Sequence, residues 1–182
     1  MNELTVVKSK RDKLRDVIIY FFVYACIGWI LESIYAFWVH GYFVNRGFLF
    51  GPYCPIYGFG AVLLILLLNN MKGKPIQEFI LAAIAFTIFE YIVSYMLEVI
   101  FGLRWWDYSE DLLNLQGRVS IAYSILWGLL GILLIEIIHP FIQKLIVKAK
   151  KHVNKKMDNI VVILLICTIL TDLVFSSMKY LN

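Results

Sequence analysis

Five apolar runs divide the chain, at about 17–39, 53–70, 76–101, 119–140 and 160–178, with short polar stretches between them. A helix needs about 20 apolar residues to cross a hydrocarbon core of about 30 Å. In lipid a spanning segment has to bond its own backbone donors and acceptors, so each run predicts a helix. The second run is the short one: residues 53–68 reach only about 24 Å at 1.5 Å per residue. It either extends through Gly51-Pro52 and Asn69-Asn70 or begins as a re-entrant turn, and the full span is preferred because the loop charges then alternate in side. The expected fold is all-α, a polytopic membrane bundle of five transmembrane helices in one domain over 17–182, preceded by a basic segment 1–16.

Charge in the connections predicts the orientation. Lys8, Lys10, Arg11, Lys13 and Arg15 precede the first run, Lys72 and Lys74 follow the second, and Lys144, Lys148, Lys150, Lys151, Lys155 and Lys156 follow the fourth. Those thirteen belong on one side, against Arg46, Arg104, Arg118 and Lys179 on the other. Basic loops stay in the cytoplasm, which puts the N-terminus inside and the C-terminus outside. Pro140 should bend or end the fourth helix. The segment 141–156 then spaces Phe141, Leu145, Ile146, Ala149 and Val153 opposite its lysines, a pattern suited to the anionic inner leaflet.

Composition agrees with a membrane protein. The chain of 182 residues is 61% hydrophobic and 16% charged, and its mean hydropathy is +0.77. Soluble domains run about 45–50% apolar and about 25% charged. The net charge of +4 has no soluble basic face to gather on, so no nucleic-acid partner is expected. Cys26, Cys54 and Cys167 show no paired spacing and read as small hydrophobes. The first run is too long for a cleavable signal peptide and reads as an anchor that stays in the membrane. No histidine or cysteine spacing suggests a metal, and no cofactor is expected.

Carboxylates inside a span are costly, about 2.5–3.5 kcal/mol each on insertion scales, and mark a cavity or a partner. Glu32, Glu90, Glu98 and Asp172 lie well inside runs, while Glu78 and Glu136 sit near ends where water or lysines can serve them. Thr87, Glu90, Tyr91, Ser94, Tyr95 and Glu98 recur at three- and four-residue steps, one polar face of the third helix. Tyr20, Tyr24, Gly28 and Glu32 do the same on the first, and Thr168, Thr171, Asp172 and Ser176 on the fifth. Ser120, Ser124, Gly128 and Gly131 form a small-residue face on the fourth, where another backbone can approach. The simplest assembly turns these faces toward a shared interior.

Counting from the inner ends, Glu32 lies about 24 Å and Glu98 about 33 Å along their helices, both in the outer half. Two outer loops join them. One carries Asn45, Arg46 and Gly51-Pro52-Tyr53-Cys54-Pro55; the other carries Arg104, Trp105, Trp106, Asp107, Asn114 and Arg118. The planar forks of Arg46 and Arg118 could clamp a carboxylate or phosphate, or could neutralise Glu32, Glu98 or Asp107 and hold the outer end shut. Trp105 and Trp106 suit an interfacial belt. The expected binding residues are Glu32, Arg46, Glu98, Asp107, Asn114 and Arg118, with Glu90 and Asp172 as interior polar groups.

The run Asn-Arg-Gly-Phe-Leu-Phe-Gly-Pro-Tyr-Cys-Pro-Ile-Tyr-Gly-Phe-Gly-Ala at 45–61 and Trp-Trp-Asp-Tyr-Ser at 105–109, followed by Asn114 and Gly117-Arg118, resemble a bacterial family. Its label is "putative ABC-transporter permease", type IV. The resemblance implies a small multi-helix membrane protein of bacterial type with a transport role, and brings no residue roles with it. The chain has no Gly-x-x-x-x-Gly-Lys-Ser/Thr loop, so any ATPase would be a separate subunit. Three functions stay open: a transport component taking a small solute from outside, an outer-leaflet enzyme acting on a lipid headgroup, and a non-catalytic partner of another membrane protein.

Overall fold

The computed structural model describes residues 9–181, so the first eight residues of the basic N-terminal segment and Asn182 lie outside the described residues. Six α-helices account for most of the chain: α1 (Lys10–His40), α2 (Pro55–Leu68), α3 (Pro75–Phe101), α4 (Ile121–Leu133), α5 (His139–Lys150) and α6 (Lys155–Leu181). A short antiparallel hairpin, β1 (Asn114–Leu115) with β2 (Val119–Ser120), interrupts the connection from α3 to α4. Four helical stretches are long and apolar enough to cross a membrane: Lys10–His40, Pro75–Phe101, Ile121–Lys150 and Lys155–Leu181.

Residues 9–59 and 153–176 form one compact unit, and 60–152 with 177–181 another. In the first unit α1 opens on a capping box. Ser9 accepts from the Arg11 amide while Asp12 accepts from the Ser9 amide, so the helix begins ahead of its apolar run. Arg15 contacts Asp12, lies 3.6 Å from Asp158 and donates to Asn159 at 2.7 Å. The starts of α1 and α6 are thereby tied side by side. Gly41, at φ 76°, closes α1 with its amide on the Phe37 carbonyl.

The chain then turns back along α1. Cys54 donates its amide to the Ala25 carbonyl at 3.0 Å, so α2 starts level with the middle of α1. Beyond Ala25, α1 runs on for about fifteen residues, roughly 22 Å. Leu49, Tyr53 and Cys54 are buried on the way down, and Ala25, Leu49 and Tyr53 form a core packed by Cys26, Phe48 and Ile169. The upstream extension of the second span through Gly51-Pro52 is therefore not helical. Two prolines flanking Tyr53-Cys54 remove amide donors there, and the stretch bonds to side chains instead. At its other end α2 does continue through Asn69, as a 3₁₀ turn Asn69–Met71.

In the second unit α3 and α4 run antiparallel. Gly128 lies against the Phe79 ring and Gly131 against Ala82, so the small-residue face of α4 is where α3 approaches. Thr87 and Ser124 exchange a hydroxyl bond at 2.7 Å across the same seam. On the opposite side of α3, Ile80, Ile84, Ile88 and Ile92 recur every four residues and stand about half exposed, an apolar face suited to lipid.

The helix does not end at Pro140. Leu134–Ile138 widens into a π turn, with the His139 amide on the Leu134 carbonyl, and helical backbone continues to Lys150. Pro140 has no amide for the carbonyl one turn back, and the wide turn makes room for its ring. Glu78 and Glu136 serve the connection between α2 and α3: Glu136 Oε1 accepts from the Gly73 amide at 2.5 Å and Glu78 Oε1 from the Lys74 amide at 3.3 Å. A backbone amide holds one oxygen of each.

Candidate functional site

The polar face of α3 finds its partners within its own hairpin. Starting at Ile121, α4 lies about level with Tyr91, and α3 overshoots it by about ten residues, roughly 15 Å. Residues 102–120 fill that step. Gly102, at φ 67°, ends α3 and turns the chain back. Tyr108 then reaches down to Glu90, whose two oxygens accept from the Tyr108 hydroxyl and the Trp127 indole, each at 3.0 Å. Tyr108 stacks on Tyr123, centroids 4.1 Å apart, and Tyr91 donates to Gln116 at 2.8 Å.

Above Glu90 the charged groups converge. Arg118 is only 7% exposed. Its Nη1 donates to Ser94 Oγ at 3.3 Å and its Nη2 meets Glu98 Oε2. Arg104 donates from Nε to the same oxygen at 3.1 Å. Asp107 stands 4.0 Å from Arg104 Nη1. Its Oδ1 accepts from the Ser109 amide at 3.0 Å and the Ser109 hydroxyl at 2.5 Å. Those bonds, with Arg104 nearby, hold the Asp107 carboxyl below the ordinary aspartate range.

Asn114 does not join the cluster. Its amide bonds the Ser109 and Asp111 carbonyls at 3.1 and 2.9 Å, and its oxygen takes the Gly117 amide at 2.9 Å, so all of it goes into shaping the hairpin. Gly117, at φ 68°, fits where a side chain would strike Asp107 and Ser109. Trp106 donates its indole to the Arg118 carbonyl at 2.9 Å, which fixes that arginine from behind.

The first unit holds a simpler pair. Arg46 Nε lies 3.5 Å from Glu32 Oε2, and the Tyr57 hydroxyl donates to Glu32 Oε1 at 2.5 Å. Tyr57 comes close because Gly28 leaves its ring room. Asp172 holds the loop that follows α1: it accepts from the amides of Phe50 and Gly51 at 2.9 and 2.7 Å, from the Tyr53 hydroxyl at 2.7 Å and from Ser176 at 2.8 Å. An open groove beside it, lined by Phe50, Tyr53, Cys167, Thr168 and Thr171, borders on an aspartate that is fully engaged.

Of the residues expected from the sequence, Glu98 and Arg118 meet and Asp107 stands near them through Arg104, while Glu32 meets Arg46. Glu90 and Asp172 brace loops. Arg104, Ser94 and Tyr57 are the participants outside the expected set. For Arg104 a signal was available: an arginine two residues past a helix-ending glycine, within reach of a glutamate one turn earlier. Nothing in the spacing pointed to Tyr57. Among the described residues no group of three or more His, Cys, Asp or Glu side chains could hold a metal ion.

No curated protein and no solved structure matches the chain. A family model does, over residues 19–177, and its description is "Putative ABC-transporter type IV". That match takes in both loops and the charged groups of both clusters described in this subsection, and with the long apolar helices it makes the chain a member of this family, a membrane transport-related protein.

Proposed function

We propose that the chain is a five-span protein of the bacterial cytoplasmic membrane, with one transmembrane domain over 17–182, and that it carries an outward-facing polar site for a small solute. The site is the Glu98–Arg104–Arg118 cluster with Asp107 at its edge; the Glu32–Arg46–Tyr57 trio is the corresponding element of the first unit. One observation carries this most: a guanidinium only 7% exposed is held between Ser94 and a glutamate whose side chain is still 32% exposed. Burying a charge at such depth is expensive, and an ion pair with one open member is suited to exchanging partners. The step beside α3 resembles the discontinuous elements that line solute sites in transporters.

The side-by-side starts of α1 and α6 support an odd number of crossings between the termini, and the basic connections support a cytoplasmic N-terminus and an outer C-terminus. Energy from ATP would come from a separate subunit. The helical extension His139–Lys150, with Lys144 and Lys148 on one side and Lys151 just past its end, is the surface it would use.

Native mass spectrometry of the protein gently extracted from its own membrane tests the proposal, beside Glu98→Gln and Arg46→Ala. A small bound mass that is lost in Glu98→Gln supports it. Wild-type protein that never carries a small mass, or carries one unchanged in both variants, overturns it.

A further inference from the structure

Among the described residues, one donor in the Glu98 cluster has no acceptor. Arg118 uses Nη1 on Ser94 and Nη2 on Glu98, but its Nε is buried without a hydrogen-bond partner. Tyr91 and Tyr95 offer it ring faces, with centroids 5.9 and 5.3 Å from Cζ, and these stabilise the charge without satisfying the N–H. An unpaired donor on a buried cation forfeits its hydration with nothing in exchange.

The charges around it are unbalanced in the same sense. Arg104 Nε and Arg118 Nη2 both lie on Oε2 of Glu98, so two guanidiniums share one carboxylate oxygen. Glu98 is the only carboxylate in ion-pair contact with Arg118 among the described residues. Asp107 opposes the excess weakly: it is 55% exposed, 4.0 Å from Arg104 and already bonded to Ser109. The Nε and Nη2 hydrogens of an arginine lie along one edge of its plane, spaced for two oxygens of one anion. Glu98 occupies half of that edge.

We propose that the site binds an anionic oxygen group, a carboxylate or a phosphate, through Arg118 Nε with Arg104 as the second cation. This rests on the cluster being a solute site and adds the chemical class of the solute. A cationic solute would use Glu98 and leave Arg118 Nε as it is.

The test uses the full chain in phosphatidylcholine nanodiscs and follows tryptophan fluorescence, because Trp106 is bonded to the Arg118 carbonyl. Succinate, inorganic phosphate and putrescine are titrated separately, and a second preparation replaces part of the lipid with phosphatidylglycerol. Saturable binding of succinate or phosphate is expected, weakened by about tenfold or more in Arg118→Lys, which keeps the charge but loses the fork. Arg104→Gln should weaken it too, which covers the case in which Arg118→Lys fails to fold. A response confined to phosphatidylglycerol discs identifies the phosphate as a lipid headgroup. Putrescine binding that is lost in Glu98→Gln, with no anion response, overturns the anion assignment and leaves a solute site standing. No response to any probe overturns the anion assignment, and the native-mass experiment decides the solute site separately.

Discussion

Tyr108 donates its hydroxyl to Glu90 at 3.0 Å, although Glu90 lies three helical turns before the glycine that ends α3. The contact exists only because residues 102–120 descend beside α3 instead of passing over it. Tyr108→Phe should therefore lower thermal stability in detergent by about 0.5–1.5 kcal/mol, the range for one such bond in a membrane protein. Combining it with Trp127→Phe leaves Glu90 with neither donor and should cost more than the two changes added together. Additive losses in the double-mutant cycle would mean that Glu90 does not couple the loop to α4.

Asp172 bears a comparable duty for the loop after α1. In a chain with Cys26 and Cys167 changed to serine, the remaining thiol is Cys54, only 4% exposed. Wild-type Asp172 should protect it from a small maleimide, and Asp172→Ala should raise the labelling rate by about tenfold or more as the amides of Phe50 and Gly51 lose their acceptor. Equal rates would show that the aspartate does not hold the loop.

Gly28→Ala places a methyl group on the Tyr57 ring. The clash should cost about 1–3 kcal/mol and disturb the bond from Tyr57 to Glu32. Tyr57→Ala in the same chain removes the obstruction, so the pair should melt above the sum of the single losses. A lone Gly28→Ala variant as stable as wild type would contradict the close approach of α1 and α2.

The Asp107 bonds favour the ionised carboxylate, so the folded value lies below the ordinary one of about 3.9. Their contribution to loop order is present above that ordinary value and is lost as pH falls through the lowered one. Titration of the Asp107 carboxyl carbon by NMR should give a midpoint below about 3.9. Ser109→Ala should move it upward. A midpoint at the ordinary value and indifferent to Ser109 would remove the basis for this.

Alkaline phosphatase inserted within residues 102–118 or fused after the last residue should be active in a bacterial host, and inserted after Lys151 it should be inactive. The reverse pattern would invert the proposed orientation.

Most of the polar face of α3 was legible in the spacing: Thr87, Glu90, Tyr91, Ser94 and Glu98 make polar contacts, while Tyr95 stands half exposed and offers only its ring to Arg118. Helical spacing alone dictates that face. What spacing could not reveal was the partner, because Glu90, Tyr91, Ser94 and Glu98 bond to a loop whose descent depends on Gly102, Leu113, Gln116 and Gly117 at positive φ. Left-handed backbone at Leu113 and Gln116 has no signature in residue type, unlike the glycines. Pro140 illustrates the converse: a residue that usually breaks a helix is absorbed by a turn of different pitch, which local sequence does not announce.

The step between the ends of α3 and α4 has a mechanical consequence. A helix loosens as a cooperative ladder, each amide held by the one a turn away. Apart from the short β1–β2 ladder and a few backbone turns, the stretch from Leu103 to Val119 is fastened by separate side-chain bonds, from Glu90, Trp106, Asn114 and Arg104, each worth about 0.5–1.5 kcal/mol. Such fastenings release singly, so this end of the hairpin can loosen in small, graded movements while the Gly128 and Gly131 seam below stays locked.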